Sequence, residues 1–283
     1  MVTLAWILLT GGDGSPVKSK QFTKAELPFE RITGISIKDS KWVVASMRGL
    51  SIGAPGSTWE NVNKRAVRRM VSDPLFTWVL YGDGGVDKLD VASDRLYYDV
   101  FQGAVKRPWV SSISVEKGGL VFGGLGGWFV KNGNMPIRQS YPDVLKGKQV
   151  LCVEAVGSEK LVGTQDGLFV VDAKATKRLG FGAGLGDTWI TSIVTLDGSV
   201  LVGTYTGGLY SYRGSKLTKV DTPSQKVVSL SVWKGNLVLG GLDGSWLRTG
   251  SKWQNLTQGE TTFLQPLSKS FFVGTPACVT KFD

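Results

Sequence analysis

The sequence repeats a short pattern at intervals close to 40 residues. In its clearest copy, Leu-Val-Gly-Thr-Tyr-Thr-Gly-Gly-Leu at 201–209, an apolar run ends in Gly-Thr and a glycine-rich turn follows. The turn glycine recurs with a spacing of 36 to 42 residues, at Gly49, Gly85, Gly127, Gly167, Gly208 and Gly244. A seventh copy, Phe-Val-Gly-Thr-Pro-Ala-Cys at 272–278, lacks this glycine. A period near 40 is typical of repeat architectures, in which each unit buries its apolar face against the next.

Each repeat predicts four short antiparallel strands. In the segment 189–220, Asp197-Gly198 separates the first two apolar runs, and this dipeptide tolerates the positive φ of a two-residue hairpin. Glycine-containing turns separate the remaining runs, of which the third alternates apolar and polar residues and the fourth is polar. Four strands without helical periodicity indicate a propeller blade and exclude a helical solenoid.

Seven copies predict an all-β fold, a seven-bladed β-propeller of four-stranded antiparallel blades. The blades are expected at 32–62, 70–100, 109–139, 150–180, 189–220, 227–257 and 261–282. The last blade lacks a fourth strand of its own, and the segment 17–24 matches the outer strand at 214–219. We therefore expect strands from the N- and C-terminal parts of the chain to close the ring in the last blade, because closure removes exposed sheet edges.

The repeat motifs resemble those of known propellers. The segment 191–209 reads Thr-Ser-Ile, Asp-Gly-Ser-Val-Leu-Val-Gly-Thr and Gly-Gly-Leu in order. It is similar to the repeat of bacterial two-component-regulator propellers, although Val or Leu replaces the second-strand Trp except at Trp42 and Trp78. The segment 162–172 also resembles a PQQ-like repeat of the WD40/YVTN-like class. The resemblance covers nearly the whole chain and implies the architecture without selecting an activity.

Composition excludes several kinds of chemistry. The 283 residues include no His, which excludes His-dependent acid–base, nucleophilic and metal sites. Cys152 and Cys278 fall in different predicted blades, so no disulfide is expected, and no metal or cofactor site is predicted. The formal net charge of +10 is spread over strands and turns. It indicates either strand edges protected against pairing or a preference for an anionic partner.

Residues 1–14 are expected to be an N-terminal extension, and residues 15–283 a single propeller domain. The extension is interpreted either as an extra strand against the ring or as the remnant of a secretory signal. The second interpretation rests on Leu-Leu-Thr-Gly-Gly-Asp-Gly-Ser at 8–15, which resembles a bacterial lipoprotein cleavage box with glycine in place of cysteine. The apolar segment is too short to span a bilayer. A periplasmic or extracellular location is favoured over the cytoplasm.

A basic and aromatic binding rim is predicted around the central channel. In a propeller, the turns between second and third strands share one face with the connections that lead into the next blade. The candidate rim residues in these loops are Arg31, Arg48, Arg69, Asp83, Arg107, Trp109, Lys148, Asp166, Trp189, Tyr205, Lys226 and Asp243. Such a rim suits a protein partner, an acidic peptide or an anionic glycan. The basic run 64–69 has no accompanying base-reading motif, so nucleic acid is not favoured.

Aspartates recur beside the turn glycines, at Asp83, Asp166, Asp197 and Asp243. The structural interpretation is the local hydrogen bonding that Asp-Gly turns require. The functional alternative is a ring of carboxylates on one face, which would bind a cation or act as the acid and base of a glycosidase.

The sequence favours a non-catalytic binding scaffold, monomeric or part of a heteromeric complex, over an enzyme. Two alternatives remain: a propeller glycoside hydrolase or lyase that uses the carboxylates at the channel mouth, and an architectural subunit of a larger complex.

Overall fold

The computed structural model confirms the seven-bladed β-propeller. It describes residues 9–10, 16–38, 40–73, 75–93, 95–98, 100–101, 109–116, 119–132, 137–214, 216–267 and 270–283. Seven four-stranded antiparallel sheets occur in this part of the chain. The innermost strands of successive sheets contact one another, and the seventh contacts the first, so the sheets form a closed ring.

Three short strands precede the first complete blade: β1 (Leu9–Thr10), β2 (Pro16–Val17) and β3 (Ser19–Thr23). Blade one consists of β4 (Ile32–Lys38), β5 (Lys41–Ser46), β6 (Gly49–Gly53) and β7 (Glu60–Asn63). Blade two consists of β8 (Val67–Ser72), β9 (Thr77–Tyr81), β10 (Val86–Asp90) and β11 (Arg95–Tyr97). Blade three consists of β12 (Val110–Glu116), β13 (Gly119–Gly124), β14 (Gly127–Lys131) and β15 (Arg138–Ser140).

The second half of the ring is more regular. Blade four consists of β16 (Val150–Val156), β17 (Glu159–Thr164), β18 (Gly167–Val171) and β19 (Thr176–Leu179). Blade five consists of β20 (Ile190–Leu196), β21 (Ser199–Thr204), β22 (Gly208–Arg213) and β23 (Lys216–Val220). Blade six consists of β24 (Val227–Trp233), β25 (Asn236–Gly241), β26 (Gly244–Thr249) and β27 (Lys252–Gln258). Blade seven contains β28 (Phe263–Leu267), β29 (Ser270–Gly274) and β30 (Cys278–Phe282).

The predicted closure of the ring is confirmed. Strand β3 pairs antiparallel with β30 and completes the sheet of blade seven, with Phe22 opposite Val279. The Phe22 side chain is 3% exposed, and its ring centroid lies 4.9 Å from that of Trp42 in blade one. The N-terminal strand therefore joins blade seven by its backbone and blade one by its side chain.

The N-terminal extension is described only in part. Strand β1 pairs antiparallel with β2, with Leu9 opposite Val17. Residues 1–8 and 11–15 lie outside the described residues, so the division of the chain at residue 14 stays a prediction. No helix in the described ranges is long and apolar enough to cross a bilayer. The helical elements within the described residues are two short 3-10 turns, Asp143–Leu145 and Phe181–Ala183.

The core consists of seven apolar clusters, each between two adjacent blades of the described structure. The second-strand glycine of the repeat makes this packing possible. A Cβ on Gly203 would lie 2.6 Å from Val227 Cγ1 of the next blade, and one on Gly163 would lie 2.7 Å from Ile190 Cγ2. Glycine is therefore required in the Val-Gly-Thr motif because the next inner strand packs directly on the backbone.

Hydroxyl groups join the blades beside the channel. The inner strands of blades one to six share a register shift near their start, which leaves one residue as a β-bulge: Thr33, Arg68, Ser111, Leu151, Thr191 and Val228. Where the bulge residue carries a hydroxyl, it donates a hydrogen bond to a carbonyl of the next inner strand, as from Thr191 Oγ1 to Val227 O at 2.8 Å. In blade seven, Thr262 just before β28 makes the equivalent bond to Ile32 O, and we call the four bonds the hydroxyl latches, made by Thr33, Ser111, Thr191 and Thr262.

Candidate functional site: the channel and its mouth

The central channel contains two adjoining cavities. The cavity on the face of the second-to-third-strand turns, called here the upper chamber, has a volume of about 300 Å³. Its lining includes Arg68, Arg69, Gln165, Trp189, Ser229 and Gln265. The lower cavity has a volume of about 280 Å³, and its lining includes Cys152 and Glu154. Arg69 and Gln265 line both cavities and mark the place where they adjoin.

The two arginines occupy a position that differs from the predicted one. Arg69 is predicted in a rim loop and blade two is predicted to begin at about residue 70, but β8 begins at Val67. Arg68 is the bulge residue of this strand and Arg69 follows it, and both line the upper chamber. A bulge re-aims side chains that a regular strand would send to opposite faces. Two guanidinium groups therefore face the channel from one strand.

The channel walls change the electrostatics of the groups that face it. The walls surround the Arg69 guanidinium although water in the channel reaches it, and this desolvation lowers its pKa. Desolvation also raises the pKa of the Cys152 thiol to about 12, so this cysteine remains a neutral thiol at pH 7. Cys152 and Cys278 are both free. In the lower cavity, Thr195 Oγ1 donates a 2.7 Å hydrogen bond to Glu154 Oε1.

A pair of aromatic rings stands at the mouth of the upper chamber. The rings of Trp189 and Tyr205 lie 4.8 Å apart between centroids with an interplanar angle of 32°. The Asp187 carboxylate fixes the loops that carry them, because it accepts hydrogen bonds from the backbone N–H groups of Trp189 and Thr206 and from the Thr206 hydroxyl. Partial desolvation raises the pKa of Asp187, but these hydrogen bonds outweigh it and hold the pKa below its usual value.

Acidic side chains of the predicted rim are engaged with neighbours in the same blade. Asp83 forms an ion pair with Arg65 at 3.0 Å, and Asp166 forms one with Lys148 at 2.6 Å. The hydrogen bond from Lys148 is the main reason that the pKa of Asp166 is lowered. In blade six, the Ser224 hydroxyl donates a 2.6 Å hydrogen bond to Asp243. These contacts join the two kinds of loop on this face, which supports the structural interpretation of the aspartates.

The predicted carboxylate ring on one face is wrong for one of its members. Asp197 lies in the hairpin between β20 and β21, with φ of 49°, at the opposite end of the blade from Asp83, Asp166 and Asp243. An Asp-Gly dipeptide suits either kind of turn, so the dipeptide alone did not reveal the face. No cluster of three or more Cys, Asp or Glu side chains suited to a metal ion occurs among the described residues.

The remaining rim residues divide into paired and unpaired groups. Arg31 forms an ion pair with Glu260 at 2.9 Å, whereas Arg48 and Lys226 are exposed and form no side-chain hydrogen bond or ion pair within the described residues. Trp109 is 50% exposed and covers Gly84, where a Cβ would lie 3.1 Å from the indole. Arg107 lies outside the described residues. The face therefore keeps unpaired cations, whereas two of its aspartates, Asp83 and Asp166, are paired with cations of their own blade.

Large apolar side chains are also exposed on this face, called here the top face. They belong to the same turns and connections as the rim, and their exposed fractions are 56% for Met47, 42% for Leu125, 65% for Phe181 and 40% for Trp189. Sequence reasoning identified Trp189 but missed Met47, Leu125 and Phe181. It also missed the chamber-lining Gln165, Ser229 and Gln265. An alignment of the starts of the inner strands, Val67-Arg68-Arg69 against Ile190-Thr191-Ser192, would have placed the arginines correctly.

The ring, the channel and the loop-built mouth define the chain as a seven-bladed β-propeller. No family model matches the sequence. No curated protein matches it either.

Solved structures show the same fold at low sequence identity. The extracellular domain of a hybrid two-component system from B. thetaiotaomicron superposes with a TM-score of 0.74 and 13% identity, covering 95% of this chain and 42% of that one. The chain thus spans about two fifths of the length of that domain. The WD40 propeller domain of Doa1 gives a TM-score of 0.69 at 12% identity, covering 94% and 95%. Virginiamycin B lyase from Staphylococcus aureus gives 0.68 at 11% identity, covering 94% and 99%. At these identities the likeness concerns the fold.

Proposed function

We propose that the protein is a non-catalytic binding module whose top face docks an acidic segment of a protein partner. The observation that carries this proposal is the combination of exposed Trp, Phe and Met side chains with unpaired cations on one face. Protein interfaces are enriched in aromatic residues, Met and Arg. Because Asp83 and Asp166 are already paired with neighbouring cations, Arg48 and Lys226 remain available to attract an anionic partner.

The proposal is tested by charge reversal on the top face. The double variant Arg48→Glu, Lys226→Glu removes two unpaired cations, and we expect it to weaken partner binding at least 10-fold, or about 1.4 kcal/mol. The control is Lys216→Glu, Lys219→Glu, which makes the same charge change on the exposed outer strand β23. The measurement is quantitative cross-linking in an extract of the native source, at low and high salt.

The outcomes separate the alternatives. An acidic partner that is lost in the top-face variant and at high salt, but retained by the β23 variant, supports the proposal. Equal capture by both variants would contradict it. If cross-linking captures no protein partner and the protein binds to an anionic glycan array, a glycan-binding module is favoured instead. An architectural subunit would show a stoichiometric complex that does not depend on salt.

The enzyme alternative shares the fold with the lyase from S. aureus. Its candidate acids, Asp83, Asp166 and Asp243, each hold a neighbouring loop, so we assign them a structural role. Turnover that is abolished by Asp166→Asn or Asp243→Asn without a loss of thermal stability would overturn that assignment.

We also propose that the protein acts outside the cytoplasm. The likeness to an extracellular domain of a two-component system supports this location. Cell fractionation of the full-length protein tests it, and recovery in the cytoplasmic fraction would contradict it.

A further inference from the structure

We propose that the upper chamber binds a small sugar acid, with the ligand carboxylate held by Arg68 and Arg69. This site lies inside the ring and is separate from the protein-docking surface proposed for the top face. The two proposals share Trp189 but depend on different cations, Arg48 and Lys226 on the top face and Arg68 and Arg69 in the chamber, so one can fail without the other.

Among the described residues, the upper chamber has two cations and no acidic side chain in its lining, and the carboxylate of Glu154 lines the lower cavity that Arg69 also reaches. The side chains of Arg68 and Arg69 form no hydrogen bond or ion pair within the described part of the chain. No Asp, Glu or Lys side chain is among the described residues that line the upper chamber. Arg68 and Arg69 are neighbouring cations that line one chamber, and the channel walls desolvate Arg69, so a bound carboxylate would add a favourable charge interaction to both. The planar guanidinium group matches the two oxygens of a carboxylate in geometry as well as in charge.

Arg68 is the charged residue among the six bulge positions, since blades four and six carry the apolar Leu151 and Val228 there. In blades one, three and five the same bulge position carries Thr33, Ser111 and Thr191, each of which makes a hydroxyl latch to the next blade. Arginine at this position has no hydroxyl group to form a latch, and it adds a second positive charge beside Arg69. A charged side chain at a position that otherwise carries a hydroxyl or an apolar group is the kind of local exception expected at a functional site.

The uncharged residues of the lining suit a ligand that carries hydroxyl groups in addition to its carboxylate. The side-chain amides of Gln165 and Gln265 and the hydroxyl of Ser229 face the chamber and have no hydrogen-bond partner within the described residues. Each offers a donor and an acceptor. Trp189 adds an aromatic surface at the mouth, supported from one side by Tyr205. A volume of about 300 Å³ is at the small end for ligand pockets, which favours a single sugar ring over an oligosaccharide.

The test is isothermal titration calorimetry with D-glucuronate at low ionic strength. We expect the wild-type protein to bind glucuronate and not glucose. Arg68→Gln and Arg69→Gln are each expected to weaken binding at least 10-fold. They are also expected to keep the melting temperature, because neither arginine side chain forms a hydrogen bond or an ion pair within the described residues. Arg69→Lys, which keeps the charge and loses the planar fork, should give an intermediate affinity.

Controls make the outcome decisive. Arg48→Gln and Lys226→Gln change the charge of the top face outside the chamber and should leave glucuronate binding unchanged. If a channel variant fails to fold, ¹⁵N NMR of the arginine side chains in the wild-type protein provides the second measurement, with shifts of Arg68 and Arg69 expected on titration. The proposal is overturned by the absence of binding at millimolar glucuronate, by equal binding to the channel variants, or by binding of inorganic phosphate in preference to glucuronate.

Discussion

Asp187 shows how one carboxylate organises the mouth of the channel. It accepts hydrogen bonds from two backbone N–H groups and one hydroxyl, and these donors belong to two different loops. The loops carry Trp189 and Tyr205, whose rings stack against each other. Charged acceptors give stronger hydrogen bonds than neutral ones. The position of the aromatic pair therefore depends on the ionised state of Asp187.

This dependence predicts a pH-sensitive loss of stability. We expect Asp187→Asn to reduce the free energy of unfolding at pH 7 by about 1–2 kcal/mol. Because the folded-state pKa of Asp187 is lowered, its contribution is present above the unfolded pKa of about 4 and is lost as the pH falls through the folded pKa. The difference between wild type and variant should accordingly shrink from pH 7 to pH 3 in urea titrations.

The matched control for this prediction is Asp197→Asn on the opposite face. Asn also tolerates the positive φ of that hairpin position, so the change should stay within about 0.5 kcal/mol. An equal loss of stability at both sites, or a difference at Asp187 that does not change with pH, would contradict the role given to its charge.

Sequence reasoning at the residue scale succeeded where backbone conformation decides the residue. Gly208 has a positive φ of 86°, which explains the glycine at that turn. It failed at Arg69, because strand periodicity assumes that side chains alternate regularly between the two faces of the sheet. The bulge at Arg68 adds a residue and breaks this alternation. Gln165 and Gln265 gave no sequence signal, since their role depends on a cavity formed by several blades.

The hydroxyl latches act between elements. Each joins an inner strand to the next one through a side-chain hydroxyl and a backbone carbonyl, as Thr33 joins β4 to β8. Four of the seven described blades donate such a bond. Apolar packing between blades is non-directional, whereas a hydrogen bond has a fixed geometry. We infer that the latches hold the inner strands in register around the channel.

Replacing a latch hydroxyl by a methyl group measures this contribution. Thr191→Val has nearly the same shape, and we expect it to cost about 1 kcal/mol and to lower the melting temperature by about 2 °C. The control is Thr218→Val on the exposed outer strand β23, which should be close to neutral. Calorimetry of the wild type and the two variants checks the prediction. An unchanged melting temperature for Thr191→Val would show that the latch does not contribute to stability.

The existence and order of the strands were predictable because turn signals and apolar runs alternate at a fixed period. The start of blade two was placed at about 70, three residues after the observed start at Val67. Two charged residues, Arg68 and Arg69, follow Val67, so the run of apolar residues that predicts a strand begins only at Met70. The latches themselves were not predicted, because a Ser or Thr at a strand start has many other uses.

The whole molecule depends on the pairing of β3 with β30. This pairing gives blade seven its outer strand and buries Phe22 against blade one. The sequence predicted the closure, since an outer strand without a blade and a blade without an outer strand were both visible. Sequence alone did not predict that the channel would hold a cationic chamber, because this requires the register of all inner strands.

Loss of this strand should open the ring. We expect deletion of residues 15–26 to expose a sheet edge and to cause aggregation, detected by size-exclusion chromatography. Phe22→Ala keeps the strand and should cost about 3–5 kcal/mol through the cavity it leaves. Gln21→Ala, exposed on the same strand, is the matched control. A deletion variant that stays monomeric and equally stable would show that closure by β3 is dispensable.

The distance along the chain between the partners of this last sheet has a consequence for biosynthesis. Thr23 and Cys278 are opposite each other in the register although more than 250 residues separate them. At ribosomal speeds of about 5–20 residues per second, β3 waits roughly 13–50 s for its partner to be made. During that time the nascent polypeptide carries an unsatisfied strand, which a chaperone at the exit tunnel would protect from pairing with a neighbouring chain.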